Sequence, residues 1–199
     1  YHNSMSILRM DERHKLFSGE FKKNLGNYTS LEVFKQYEKK TTNLDPLKTV
    51  QYLDLKTYLV GDILTKVDRA SMTHSLEVRV PFLDHKFVEW TAKIPKALKI
   101  KNGCGKYILK KAMEPYLPHD ILYRSKMGFR VPLADWFRGP LKDKLREALL
   151  SEQMRNCGLF NMDTVTKWLD DHQSGRKEYS APLWTLLMFA SFFKNAKDA

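Results

Sequence analysis

Apolar residues recur at helical spacing along most of the chain. Ile63, Leu64, Val67 and Ala70, for example, are separated largely by three or four positions, which places them on one face of a helix. We therefore predict about seven helices and a short helical turn at residues 118–123. The segments with the helical pattern are residues 32–38, 62–70, 85–94, 106–116, 141–150, 162–172 and 182–193.

Three local features interrupt or end this pattern. Residues 76–82 alternate between apolar and charged side chains, which predicts a short extended segment that Pro81 stops. Gly61 predicts a break before the helix that Asp62 starts, and Asp84 predicts an N-terminal cap for the next helix. The segment 182–193 is apolar nearly all round, as in a helix that is central or packs on a partner. The predicted fold class is mostly α with one short strand.

Length and composition indicate a soluble globular protein. The 199 residues suffice for one sizeable domain, and 43% of them are hydrophobic, which excludes disorder caused by low hydrophobicity. The two cysteines, Cys104 and Cys157, form no disulfide framework, so we expect a reducing compartment, the cytoplasm. No apolar stretch reaches the roughly 20 residues of a membrane helix, so we expect no membrane partner. The chain opens with Tyr1, which favours a piece of a longer protein.

The net charge of the chain is large but does not by itself decide between function classes. Lys plus Arg is 34 and Asp plus Glu is 23, giving a net charge of +11. The basic residues are scattered, and the aromatic residues fall mostly at inward helical positions. A nucleic-acid interface would combine both types on one exposed element, so we expect a solvated basic surface and no nucleic-acid partner. The alternative, a nucleic-acid binder, would lose affinity steeply as the salt concentration rises.

Several common catalytic and metal-binding patterns are missing from the sequence. The six histidines are dispersed without a pair four residues apart, and neither cysteine lies near a second thiol ligand, so we expect no metal site. The sequence contains neither a Gly-x-Ser-x-Gly nucleophile motif nor a Gly-x-x-x-x-Gly-Lys-Ser/Thr phosphate loop.

Two groups of charged residues are the candidates for a functional site. The first comprises Asp68 and Arg69 at a helix end, followed by Glu77 and Arg79 on the extended segment. Charges among apolar neighbours are usually paired. The group is therefore either a salt-bridge network that joins helix and strand or one wall of a ligand pocket.

The second group lies in the loop at residues 124–131. Arg124 and Lys126 are two residues apart beside Gly128, and such cations can bind a polyphosphate. The structural alternative is an ordinary basic loop. Lys106, which follows Gly105 at the start of a helix, is a weaker candidate of the same kind.

These segments together resemble the synthetase domain of glutamine-hydrolysing asparagine synthetases. The matching segments, in order, are residues 66–72, 77–84, 105–110, 116–118 and 124–129, and the resemblance covers at least residues 52–137. Residues 182–188 are similar to a branch of these amidotransferases found with exopolysaccharide and exosortase systems. The resemblance implies that residues 51–199 are the helical C-terminal part of an adenine-nucleotide α-hydrolase-like (ATP pyrophosphatase) synthetase domain, with the parallel sheet largely missing. The pattern leaves the structure of the N-terminal segment, residues 1–50, open.

The resemblance also implies a reaction and site residues. In the family, ATP activates the side-chain carboxylate of aspartate as an acyl-adenylate, and ammonia from glutamine then attacks the acyl carbon. Lys126 matches the family lysine at the reaction centre, and Lys106 matches a lysine that holds pyrophosphate. Asp68, Arg69, Glu77 and Arg79 match residues that line or brace the pocket. Arg124 and Gly128 flank Lys126 in its motif.

Other family elements have no counterpart in the chain. It contains no Ser-Gly-Gly-x-Asp-Ser loop for the ATP phosphates, no acidic Ser-Gly-Glu-Gly-x-Asp-Glu run for magnesium, and no N-terminal cysteine nucleophile of the glutaminase. We therefore expect ATP and Mg²⁺ to act in a full-length enzyme and not to bind this fragment alone. The oligomeric state, including a homo-oligomer, is left open. The alternative function is a non-catalytic helical interaction module on the same scaffold.

Overall fold

A computed structural model describes residues 1–128 and 131–197. The chain forms two compact units. The first consists of residues 1–29 together with the described residues from 131 onward, and the second of residues 30–128. The predicted boundary at residue 50 stays a prediction.

Short helices make up most of both units. In chain order the α-helices are α1 (His2–Met5), α2 (Met10–Leu16), α3 (Gly19–Leu25), α4 (Leu31–Glu38), α5 (Pro46–Lys56), α6 (Thr65–Met72), α7 (His85–Lys93), α8 (Lys96–Lys99), α9 (Tyr107–Met113), α10 (His119–Tyr123), α11 (Leu133–Arg138), α12 (Lys142–Leu149), α13 (Glu152–Asn156), α14 (Met162–Gln173) and α15 (Ser180–Lys197). A π-helical segment spans Leu59–Leu64, 3-10 helices span Lys39–Thr41 and Pro81–Leu83, and strands β1 (Ile100–Lys101) and β2 (Cys104–Gly105) pair antiparallel. The prediction of a mostly α fold is confirmed, although the helices are shorter and more numerous than the pattern indicates.

The hydrophobic core of the described residues lies in the first unit. Helices α11, α12 and α14 pack against α15, and α14 also packs against α2. This packing accounts for the buried apolar residues of α15, whereas Trp184, Met188 and Phe192 on the same helix are exposed. The buried side chains of this core are Leu16, Phe137, Leu145, Leu149, Met154, Val165, Trp168, Leu169, Tyr179, Leu183 and Leu186.

A buried histidine ties the end of α14 to the start of α15. His172 is fully buried, and its Nδ1 accepts a hydrogen bond of 3.2 Å from the backbone N–H of Tyr179. Its backbone oxygen accepts a hydrogen bond from Arg138, which also pairs with Glu178 at 3.0 Å. Burial lowers the pKa of His172, Arg138 adds to this shift, and Glu178 and the backbone of Ala134 oppose it. The neutral ring is therefore the form that the fold stabilises.

The stability of the chain is expected to fall as the pH drops below about 6.5, the ordinary histidine pKa, because the unfolded state then binds a proton that folded His172 resists. The loss from this group amounts to at most about 1.4 kcal/mol per pH unit. Urea unfolding of the wild-type chain and of His172→Gln at pH 7.5 and 5.5 measures this loss of unfolding free energy. The variant should lose much of the pH dependence, whereas replacing the exposed His14 by Gln should retain it. An unchanged pH dependence in His172→Gln would contradict the assignment.

The second unit shows two departures from the predicted elements. Gly61 does not break the helix but lies inside the π-helical segment, where its N–H donates to the Thr57 carbonyl at 2.8 Å. The irregular backbone falls instead at Thr57, whose φ and ψ are −120° and −75°. The wider turn lets the helical path continue into α6.

The strand predicted at residues 76–82 is the other departure. Residues 76–80 belong to no helix or strand, and Pro81 begins a 3-10 turn. Alternation describes a strand only where a second strand pairs with it, and the described residues offer none to this segment. The predicted cap at Asp84 is confirmed, because its side chain accepts a 3.0 Å hydrogen bond from the N–H of Phe87.

Few apolar side chains of the second unit are buried. Leu53 and Ile94 are the buried hydrophobic residues among its described positions. Larger side chains such as Phe82 and Trp90 are more than half exposed. Within the described part of the chain, no helix combines the length and apolarity needed to cross a membrane.

Candidate functional site

The charged group around residue 77 lies on exposed backbone. Asp68 and Arg69 are exposed in the middle of α6, and the carbonyl of Arg69 accepts a hydrogen bond from the Thr73 hydroxyl at 2.7 Å. After α6, Ser75 adopts a φ of 54°, which turns the chain into the extended segment. Asp68 and Arg69 have no ion-pair partner within the described ranges, so no salt bridge joins them to residues 77–79.

Glu77 and Arg79 form an ion pair of their own. Arg79 Nε donates to Glu77 Oε1 at 2.8 Å, and the side chains are 85% and 71% exposed for Arg79 and Glu77. An ion pair this exposed contributes little to stability. The pair does not hold the segment in place, and both side chains are accessible to a ligand.

Lys106 follows the β-hairpin in a conformation that is uncommon for a lysine. The two central turn residues, Asn102 and Gly103, have φ values of 50° and 74°, as a two-residue turn of type I′ requires. Lys106 itself has a φ of 58° and caps the N-terminus of α9. A left-handed backbone at a residue other than glycine costs free energy, and such residues cluster at functional sites. The sequence pattern contained no feature that indicates this conformation.

Arg124, Lys126 and Gly128 lie on an exposed loop that follows α10. Residues 125–128 form no helix or strand, and Phe129, which the resemblance includes, lies outside the described residues. A Cβ atom added to Gly128 would meet no heavy atom within 4 Å. Across residues 1–128 and 131–197, Lys126 has no hydrogen-bond or ion-pair partner, so its ammonium group is available to an anion.

A hydrogen-bonded triad anchors the helix that leads into this loop. Tyr123 donates a hydrogen bond of 2.8 Å to Glu114, and Lys111 pairs with the same carboxylate at 2.9 Å. The hydrogen bonds from Lys111 and Tyr123 lower the pKa of Glu114. The triad links the C-terminal end of α9 to α10, which ends at Tyr123, three residues before Lys126. Sequence analysis missed Glu114 and Tyr123, although the Lys111–Glu114 spacing of three is typical of a helical ion pair.

The described residues do not fit a metal-binding site. They contain no group of three or more His, Cys, Asp or Glu side chains that could hold an ion. Of the predicted site residues, the structure joins only Glu77 and Arg79 by a direct contact among the described positions. The arrangement as a whole offers exposed cations to an anionic ligand.

Comparison with known proteins gives consistent matches. The family described as Asparagine synthase matches residues 3–194. Asparagine synthetase (glutamine-hydrolyzing) 1 of Bacillus subtilis (strain 168) is 35% identical over 180 residues, which cover 88% of this chain and 28% of that protein. Amidase chyE of Penicillium rubens is 34% identical over 132 residues, or 63% of this chain and 20% of that protein. Asparagine synthetase (glutamine-hydrolyzing) of Gallus gallus is 41% identical over 90 residues, which cover 42% of this chain and 16% of that protein.

The matched relatives are much longer than the chain, which covers no more than 28% of each of these three. No solved structure matches the chain significantly.

Proposed function

Because the chain belongs to the asparagine synthase family, we propose that it is the helical C-terminal part of the synthetase domain of an ATP-dependent amide ligase. In the proposed reaction, a carboxylate oxygen of aspartate, or of a related acid, attacks the α-phosphorus of ATP. Pyrophosphate leaves, and an acyl-adenylate forms. Ammonia released from glutamine then attacks the acyl carbon, AMP leaves, and the nitrogen loses a proton to give the amide.

The family match over residues 3–194 is the observation that carries this proposal, and the loop around Lys126 supplies its candidate catalytic group. An exposed ammonium group without a protein partner follows a helix that Glu114 and Tyr123 anchor. Negative charge grows on the phosphates in the first step and on the tetrahedral oxygen in the second. A positioned cation stabilises both, and such interactions supply a large share of catalysis. We assign this role to Lys126.

The other site residues receive binding and bracing roles. Lys106, in its left-handed conformation at the start of α9, binds the departing pyrophosphate. Glu77 and Arg79 line the pocket, where both exposed side chains are accessible to the ligand. Asp68 and Arg69, exposed on α6, are assigned the family role of lining or bracing the pocket. Arg124 adds positive charge beside Lys126, and Gly128 belongs to the same exposed loop.

The remaining parts of the reaction belong to the longer protein. The 199 residues contain no phosphate-cradling loop, no glutaminase cysteine and no acidic cluster among the described positions. We propose that the missing sheet binds the nucleotide with Mg²⁺ and that the enzyme acts in the cytoplasm on small-molecule substrates. No step assigned to this chain's residues uses the metal ion.

Comparing the full-length enzyme with the 199-residue chain tests the proposal. With aspartate, glutamine, ATP and Mg²⁺, the full-length enzyme is expected to release AMP and pyrophosphate in equal amounts with asparagine. The isolated chain should form no asparagine and should show no tight, Mg²⁺-dependent ATP binding by calorimetry. Related carboxylates replace aspartate in parallel reactions to identify the acceptor. ADP and phosphate as products, or no ATP-dependent amide with any acceptor, would overturn the proposed chemistry.

A non-catalytic interaction module is the second candidate. The side chains of Trp184, Met188 and Phe192 are spaced four residues apart on α15 and are 38%, 42% and 67% exposed. They form an apolar stripe that a partner helix fits. The two functions differ in what precedes Tyr1 in the gene. A phosphate loop and a glutaminase cysteine there favour the ligase, whereas their absence favours the module.

A further inference from the structure

One segment is an exception to the scattered distribution of basic residues. Between Glu89 and Glu114 the chain contains no acidic residue and seven lysines. They are Lys93, Lys96, Lys99, Lys101, Lys106, Lys110 and Lys111. The proposed site uses only Lys106 among them for binding, so the other charges require a separate account.

The structure gathers these lysines on one local body within the second unit. Helix α8 packs against strand β1 and helix α9, the two strands pair, and α9 contacts α10. Six of the lysines therefore lie on or beside these packed elements, Lys93 ends α7 three residues before α8 begins, and α10 leads directly to the loop of Lys126.

Most of these charges are not neutralised by the protein. Only Lys111 has a carboxylate within salt-bridge distance among the described residues, Glu114 at 2.9 Å. The ammonium groups of Lys101 and Lys110 lie 5.0 and 5.2 Å from the ring centres of Tyr107 and Tyr123, contacts that orient a cation and keep its charge.

Lys99 lies partly buried near a second lysine, Lys48 of α5. Burial lowers the pKa of Lys99, the nearby charge of Lys48 lowers it further, and Asp45 opposes the shift. The Lys99 ammonium group donates a hydrogen bond of 3.1 Å to the Gln51 side chain, which carries no charge. Lys48 thus adds a positive charge from α5 near Lys99, and Asp45 at the start of the same helix offsets part of it.

We propose that this cationic surface, formed by the lysines of residues 93–111, captures the triphosphate of ATP and guides it toward Lys106 and Lys126. The inference rests on the proposed function. Clustered charges of one sign raise the association rate of an oppositely charged ligand by about 10- to 1,000-fold, and salt suppresses the effect. ATP carries several negative charges, aspartate carries a single net negative charge and glutamine carries none, so the surface acts most strongly on ATP.

The test uses the full-length enzyme with the double variant Lys93→Gln/Lys96→Gln. Both lysines are exposed and have no ion-pair partner among the described residues, so the substitutions remove charge and leave the packing intact. The control is Lys142→Gln/Lys144→Gln, which removes the same charge from exposed positions of α12 in the first unit. The measurements are kcat and KM for ATP at low and high ionic strength, together with the rate of glutamine hydrolysis.

The double variant is expected to lower kcat/KM for ATP by roughly 3- to 10-fold at low ionic strength, with kcat and glutamine hydrolysis unchanged. The difference should nearly vanish at high salt, where the Debye length shrinks to about 3 Å, and the control should match the wild type. An unchanged kcat/KM, an equal loss in the control, or a loss that high salt does not abolish would each overturn the inference. A wild-type enzyme without ATP-dependent synthesis overturns the proposed function as well, so the two failures are distinguishable.

Discussion

Replacing Lys126 by alanine in the full-length enzyme is expected to lower amide synthesis by roughly 100- to 1,000-fold, the loss typical when one positioned stabiliser of transition-state charge is removed. Glutamine hydrolysis should persist, because its nucleophile lies outside this chain in the proposed enzyme. The ammonium group of Lys126 has no partner among the described residues, so the variant leaves no buried charge unpaired. Parallel assays of pyrophosphate release and glutamate formation measure the two half-reactions.

Two control variants separate catalysis from structure. Lys144→Ala removes an exposed lysine from α12 and should leave both activities unchanged. Lys126→Arg keeps the charge but changes its geometry and is expected to recover only part of the activity, since a guanidinium does not substitute for an ammonium at a positioned site. Equal loss of both half-reactions in Lys126→Ala, or of neither, would contradict the assigned role.

Sequence motifs were enough to predict Lys126 as a site residue. The structure around it could not be predicted in the same way, because it depends on contacts between segments that the spacing of apolar residues does not encode. The order of the motifs along the chain indicated the family resemblance. The preference of Asp for helix N-termini predicted the cap at Asp84, and the helical spacing of apolar residues predicted the mostly α fold. The Glu114–Tyr123 hydrogen bond joins two helices across a proline-containing turn. The left-handed backbone of Lys106 is likewise set by the hairpin before it. Neither feature has a local sequence signature.

The two errors in the predicted elements have a common physical origin. The alternating pattern of residues 76–82 describes a side-chain arrangement, but a strand also needs a neighbour for its backbone hydrogen bonds. Gly61 lowers helix propensity by about 1 kcal/mol, yet it lies inside the π-helical segment and donates a hydrogen bond to the Thr57 carbonyl. Local sequence preferences therefore indicate which backbone conformations a segment tolerates, and the hydrogen bonds it can form decide which of them it adopts.

The last prediction concerns the unequal burial of the two units. Phe137 is fully buried and lies 6.4 Å from the ring of Trp184, so Phe137→Ala should destabilise the chain by about 3–5 kcal/mol. Phe82 is 60% exposed and contacts Phe87, so Phe82→Ala should cost less than about 1 kcal/mol. Urea unfolding of the 199-residue chain measures both values, and Phe137→Leu, which retains most of the buried volume, should fall between them.

The same pair of variants in the full-length enzyme tests why the second unit buries so little. Ordering a residue costs about 1–2 kcal/mol of backbone entropy, which buried apolar area must offset. Leu53 and Ile94 supply little of that area among the described residues. If the rest of the synthetase domain covers residues 76–82, Phe82→Ala will destabilise the full-length enzyme by at least about 2 kcal/mol. The destabilisation by Phe137→Ala should then be the same in the full-length enzyme as in the 199-residue chain. A Phe82→Ala variant as neutral there as in the chain would show that this apolar surface faces solvent in the enzyme too.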